Sequence, residues 1–112
     1  FILEATKEVP RRVSHPSRRK IGLRVPDHRV TQALLEVFGQ PLLGTTLIAP
    51  GESDPMNDPR EIRERLQKQI QAVIDAGACP RQATTVIDLS GDEPVLVRLG
   101  RGDPLSLGLA PQ

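Results

Sequence analysis

The run Pro41-Leu-Leu-Gly-Thr-Thr-Leu-Ile48 constrains this chain most. Its length, its Thr and Ile content and its leading proline fit a mostly buried strand better than a helix. Side chains alternate across a strand, so Leu43, Thr45 and Leu47 point one way, and Leu42, Gly44, Thr46 and Ile48 the other. The second face sets bare backbone at Gly44 beside a hydroxyl at Thr46. The earlier run Lys20-Ile-Gly-Leu-Arg-Val25 divides in the same manner. Ile21, Leu23 and Val25 form an apolar face, and Lys20, Gly22 and Arg24 the other. Two such segments predict a sheet with one face under helices and one face open, cationic and hydroxyl-lined.

At 112 residues and 38% hydrophobic content, the chain has enough for one domain and a lean core. Phe1 and Phe38 are its only aromatic residues, so Leu, Ile and Val must supply that core. No apolar run is long enough to span a bilayer and no signal-peptide pattern is present. A lone Cys79 excludes an internal disulfide and suits a reducing compartment, so a cytoplasmic location is expected. The first six residues, Phe1-Ile-Leu-Glu-Ala-Thr6, are already strand-like and lack an initiator Met, which reads as a portion of a longer domain.

Net charge is +1 but unevenly spread. Residues 1–40 hold eight basic residues against four acidic ones, and the remainder seven against ten. The first part therefore favours an anionic partner.

In chain order, Phe1 to Thr6 predicts a strand, Lys7 to Pro10 a turn, and Arg11 to Val13 a short helical turn after Pro10. Ser14 to Arg19 predicts an exposed basic loop, and Ile21 to Val25 a strand closed by Pro26. Asp27 then caps a helix from about His28 to Phe38, whose Val30, Ala33, Leu34, Val37 and Phe38 share one face. Gly39 takes the C-terminal cap. After the strand at Leu42, Ala49 to Asp58 predicts a loop, and Asp58-Pro-Arg-Glu61 a capping box. Ile62, Leu66, Ile70 and Val73 mark the next helix's buried stripe, with Glu61–Arg65 and Glu64–Lys68 pairs on its wet side. The segment Ala72 to Asp75 could equally finish this helix or begin a strand. Thr84 to Leu89 and Pro94 to Leu99 flank Ser90-Gly-Asp-Glu93 as a β-hairpin. Residues 100–112 read as an irregular tail. The order describes an α/β layered domain with a mixed sheet.

Little of a self-contained active site is visible. Gly100-Arg-Gly102 is too short for a phosphate loop. His15 and His28 have no second ligand at metal spacing, and no carboxylate pair or hydroxyl–base pair is spaced for acid/base or nucleophilic work. No catalytic residue and no metal site are therefore predicted. A binding set remains. Arg24 and Arg98 can fork onto carboxylate or phosphate, and Thr45, Thr46, Thr84 and Thr85 can donate and accept hydrogen bonds.

Several segments together resemble the YrdC family of threonylcarbamoyl-AMP synthases, on its YciO branch. They are Phe1-Ile-Leu, Lys7-Glu-Val-Pro-Arg-Arg12, Ile21-Gly-Leu-Arg-Val-Pro26, Pro41-Leu-Leu-Gly-Thr-Thr46, Asp58-Pro-Arg-Glu-Ile62, Thr84-Thr-Val-Ile-Asp-Leu89 and Val97-Arg98. They run through nearly the whole chain in order, so residues 1–112 look like the C-terminal portion of one such domain. The resemblance implies a twisted mixed sheet with helices on one face and an open, positively charged concave face. The activity implied is formation of threonylcarbamoyl-AMP and pyrophosphate from L-threonine, bicarbonate and ATP, with magnesium expected alongside ATP, in tRNA threonylcarbamoyladenosine modification. Arg24, Thr46 and Thr84 would serve threonine, and Lys20 and Arg98 would serve ATP. The family's association with double-stranded RNA implies an alternative role, a duplex-RNA or tRNA-binding module using Arg11, Arg12, Arg18 and Arg19. The family's Lys-Arg-Pro signature is not in this sequence, so the chain is expected to be inactive alone.

Three features depart from the family's pattern. Ile48 stands at the Asn of the Ser-Ala-Asn motif and cannot supply a polar contact to nucleotide, although apolar residues there typify the YciO branch. Gly44 replaces a frequent Ser. A four-residue hairpin loop would pair Leu89 with Pro94 and Thr85 with Arg98, which places Arg98 on Thr85's face rather than Thr84's. Either a bulge shifts that register, or one of the two implied roles is wrong.

Overall fold

The computed structural model describes residues 1–13 and 19–109. They form two compact units, one made of Phe1–Asp27 with Gln82–Gln112 and the other of His28–Arg81.

The first unit contains a four-stranded sheet in spatial order β2-β1-β3-β4. Its strands are β1 (Ile2–Glu4), β2 (Lys20–Gly22), β3 (Val86–Asp88) and β4 (Val95–Arg98). β1 and β2 are antiparallel, with Ile2 opposite Gly22 and Glu4 opposite Lys20. Beyond the ladder, Leu23 donates its N–H to the Phe1 carbonyl at 2.7 Å. Between β1 and β2, Arg11–Val13 makes the expected 3-10 turn after Pro10. β1 runs parallel to β3, Ile2 beside Asp88, and the Leu89 N–H donates to the Ile2 carbonyl at 2.8 Å. The mixed sheet is therefore as the sequence predicts.

Alternation sorts the side chains of this sheet by chemistry. Leu3 lies opposite Ile21, and Ile87 opposite Leu96, giving one apolar face. Ile87 is its best-buried member, 3% exposed. The other face carries Lys20, Gly22, Ile2, Glu4, Val86, Asp88, Val95 and Arg98. The predicted division of Lys20 and Gly22 from Ile21 holds, but β2 ends at Gly22, before Leu23 and Val25.

The β3–β4 hairpin forms with the expected register at its loop end, Asp88 facing Val95 and Ile87 facing Leu96. The register then slips, and Val86 faces Arg98 with Val97 as the extra residue. The hairpin loop opens on Asp88, whose Oδ1 accepts from the Ser90 N–H at 2.8 Å and from the Ser90 hydroxyl at 2.5 Å. Those two hydrogen bonds hold the Asp88 carboxyl below its ordinary value, and Lys20 adds a smaller pull. After β4, Gly100 packs on the Ala83–Thr84 backbone. A Cβ there would overlap the Ala83 carbonyl oxygen and sit 2.5 Å from the Thr84 carbonyl carbon. The tail is not wholly irregular. Pro104–Leu107 forms a 3-10 turn because Asp103 accepts from the Leu105 N–H at 2.9 Å and Gly108 closes it at φ 74°.

In the second unit, α1 spans Arg29–Phe38 and ends on Gly39 at φ 72°, a conformation that glycine adopts without Cβ strain. His28, not Asp27, occupies the N-cap position, and its side chain makes no capping bond. The apolar stripe of α1 is present, yet Val30, Leu34, Val37 and Phe38 are all exposed. Helical spacing identifies the side that seeks cover; a facing surface must supply it. α2 spans Pro59–Leu66, capped by the Asp58 carboxylate on the Arg60 N–H at 2.9 Å. Because α2 stops at Leu66, Ile70 and Val73 do not extend its stripe, and Lys68 lies beyond the helix. Arg65 bonds Glu61 at 3.2 Å as spaced, and also Glu52 at 2.9 Å. Ala72 to Asp75 is neither helix nor strand.

The run Pro41–Ile48 is not a strand. The second unit contains no strand among its described residues, so this run has no ladder partner. Its bonds are local, such as Ile48 N–H to the Thr46 carbonyl at 3.2 Å and Met56 N–H to the Leu47 carbonyl at 2.9 Å. Apolar composition and β-branching favour extended backbone, but a strand also needs an edge to pair with. No helix among the described residues is long and apolar enough to cross a membrane.

Two outcomes follow for stability. Gly100→Ala forces the Ala83–Thr84 backbone away and is expected to cost about 2 kcal/mol or more in chemical denaturation, as overpacking does. The folded-state pKa of Asp88 lies below its unfolded value near ~3.9, so its contribution is present above that pH and lost as pH falls through the folded pKa. Asp88→Asn should therefore destabilise the protein near neutrality and flatten the acid limb of its pH–stability curve. An unchanged acid limb would refute this assignment.

Candidate functional site

The first unit carries three of the residues picked out in the sequence on one sheet face, and two of them, Arg98 and Thr84, touch. The Arg98 Nε donates to the Thr84 carbonyl at 2.9 Å, and its Nη2 to the Thr84 hydroxyl at 3.2 Å. The bulge at Val97 makes this possible. Without it, alternation would have carried Arg98 to Thr85's side. Of the two alternatives open in the sequence, the register shift is the one realised, and Arg98 and Thr84 meet.

Lys20 occupies the same face. From β2 its Nζ reaches across β1 to Asp88 Oδ2 on β3, a 3.6 Å ion pair. Gly22 lies beside it in the row Gly22–Ile2–Asp88, and a Cβ at Gly22 would meet nothing within 4 Å. The face is open there. Its cations, Lys20 and Arg98, are interspersed with the carboxylates Glu4 and Asp88. Arg24 is exposed, one residue past the Phe1–Leu23 hydrogen bonds that end the β1–β2 pairing.

Chemically, a guanidinium held beside a hydroxyl is a pair of donors that can bind an anion. The Thr84 hydroxyl accepts from a guanidinium, so its own hydrogen can be given to an incoming oxygen. A fixed guanidinium binds carboxylate or phosphate with less loss of side-chain freedom than a mobile one.

Thr46 belongs to the second unit, where it is exposed and its carbonyl accepts the Ile48 N–H. Arg11 and Arg12 share the exposed 3-10 turn, and Arg19 is exposed at φ 47°. Arg18 and His15 lie outside the described residues. In the second unit, His28, Val30, Thr31, Leu34, Ile74, Ala76 and Cys79 line a shallow, mainly apolar depression. His28 Nδ1 is buried there without a hydrogen-bond partner. Among the described residues, no three His, Cys, Asp or Glu side chains converge to hold a metal ion.

The roles of two participants escaped sequence reasoning. Asp88 was not paired with any group by spacing, because its cation lies two strands away. The Asp88-x-Ser90 pattern, typical of a turn in which the Asp side chain bonds the backbone two residues on, was its available signal. The second is Thr85. Its hydroxyl accepts from the Gly100 N–H at 2.9 Å and donates to the Gly102 carbonyl at 2.6 Å. No local pattern announces that bridge.

Comparison with known proteins supplies the context. The Sua5/YciO/YrdC family model, described as "Telomere recombination", matches residues 1–100. The chain is 50% identical over 103 residues to YciO, an uncharacterized protein of Escherichia coli K12, covering 92% of this chain and 50% of that protein. An uncharacterized protein of Haemophilus influenzae Rd is 45% identical over 103 residues, with 91% and 50% coverage. The crystal structure of E. coli YciO matches with a TM-score of 0.81 at 50% identity, over 93% of this chain and 50% of that one. The chain thus spans about half the length of the curated relatives it matches. A match over residues 1–100 and half-identity to YciO show that this chain belongs to the Sua5/YciO/YrdC family.

Proposed function

We propose that the open face of the sheet is part of a site for L-threonine and ATP, contributing to threonylcarbamoyl-AMP synthesis for tRNA modification. The observation that carries this reading is the Arg98–Thr84 pair on the face that also bears Lys20. In this reading Arg98 and Lys20 attract the ATP phosphates, and Arg24 takes the threonine carboxylate. Thr84 gives a hydrogen bond to threonine. The chain's own residues bind and orient; bicarbonate and ATP supply the reacting groups. Magnesium would arrive on the ATP phosphates. Ile48 offers nucleotide no polar contact, and the family's Lys-Arg-Pro signature is not in the sequence, so no complete reaction is assigned to these residues alone. The setting is the cytoplasm.

A second reading rests on Arg11 and Arg12 sharing one exposed turn. Together with Arg18 and Arg19 they would contact the phosphates of duplex RNA or tRNA. With Phe1 and Phe38 as its only aromatics, the chain lacks the stacking platforms of single-strand readers, which leaves backbone or shape recognition.

Calorimetric titration of the 112-residue chain with ATP–magnesium, L-threonine and duplex RNA separates the readings. Arg98→Ala is expected to weaken ATP binding, and Arg24→Ala threonine binding, each roughly tenfold, the worth of one charge-assisted hydrogen bond. Absence of any small-molecule response, together with RNA affinity that collapses between low and high salt, would replace the first reading with the second.

A further inference from the structure

We propose that Thr85 is a positioning residue whose hydroxyl keeps the Arg98 guanidinium on Thr84. This inference rests on the reading of Arg98 as a phosphate contact. The β3–β4 ladder ends at the Val86–Arg98 pair, directly after the bulge at Val97. Beyond that pair, the segments flanking the two strands, residues 83–85 and 100–102, are joined by a different set of bonds. The Thr85 hydroxyl spends its hydrogen on the Gly102 carbonyl at 2.6 Å and a lone pair on the Gly100 N–H at 2.9 Å. The Arg101 N–H donates to the Ala83 carbonyl at 2.9 Å. Gly100 lies so close to the Ala83 and Thr84 backbone that no side chain fits.

Residues 83–85 and 100–102 are thereby clamped together at the end of the hairpin that carries Arg98. Thr85 is the one member of the clamp that acts through a side-chain hydroxyl, and it adjoins the residue that Arg98 bonds. With the hydroxyl removed, the end of β4 is free to fray. The guanidinium then regains rotamers that it must lose again on binding an anion, and affinity falls by that cost.

The test uses the full chain with inorganic pyrophosphate as the probe. Thr85→Val and Thr85→Cys remove the hydroxyl or replace it with a weak donor, and Thr85→Ser retains it. Pyrophosphate affinity by calorimetry is expected to fall roughly tenfold in the Val and Cys variants and to return in the Ser variant. Nitrogen-15 NMR should show the Arg98 Nε–H protected from exchange in the parent and Ser proteins and unprotected in the other two. Parent-like affinity and protection in a folded Val or Cys variant would overturn the proposal. Failure of both to fold while the Ser variant folds would overturn it also, by making Thr85 purely structural. If Arg98→Ala binds pyrophosphate as the parent does, the phosphate reading of Arg98 fails, and the Nε–H protection still decides the role of Thr85.

Discussion

The hydrogen bond from the Leu89 N–H to the Ile2 carbonyl joins what would otherwise be two separate antiparallel pairs. A two-stranded ribbon alone is marginal in water, whereas four strands with one apolar face can hold a register. That parallel junction places Ile2 beside Asp88 and so decides which residues of β2 and β3 share a face. The ion pair from Lys20 to Asp88 across β1 exists because of it. So does the apolar face centred on Ile87.

The bulge at Val97 is the second decisive feature. One extra residue exchanges the face of everything beyond it on the strand, and here it exchanges Arg98 from Thr85's side to Thr84's. It also divides the labour between two adjacent hydroxyls. Thr84 faces the cation, and Thr85 secures the backbone that follows. Two Thr residues with the same β-propensity thus acquire different work from a shift of one position.

Helical elements were the most legible part of the sequence, because their determinants are local. Asp58-Pro59 starts α2 and Gly39 ends α1 through bonds spanning only a few residues. Asp103-Pro104 repeats the Asp58-Pro59 pattern and starts a turn for the same reason, although the tail reads as irregular without it. Asp27 failed as a cap because the chain enters α1 one residue later, on His28. The run Pro41–Ile48 failed as a strand for a non-local reason. Thr and Ile prefer extended backbone, but pairing depends on a neighbouring edge, and its unit has no strand among the described residues. The apolar stripe of α1 carries the same lesson, since periodicity oriented it without covering it.

For the candidate site, sequence reasoning reached Lys20, Thr84 and Arg98 as hydrophilic members of strand segments, and the family resemblance grouped them. It missed the anchoring of Lys20 by Asp88 and the bridging by Thr85, because those bonds link residues far apart in the chain. By itself, then, the sequence determined the family, the start of α2, the end of α1, the hairpin and the division of Lys20 and Gly22 from Ile21, all of which follow from local spacing or from motif order. The face expected to be cationic instead balances Lys20 and Arg98 with Glu4 and Asp88. Tertiary structure alone decided the strand order, the bulge and the meeting of Arg98 with Thr84. Those depend on which backbone edges pair, and a two-residue alternation cannot say where a register will slip.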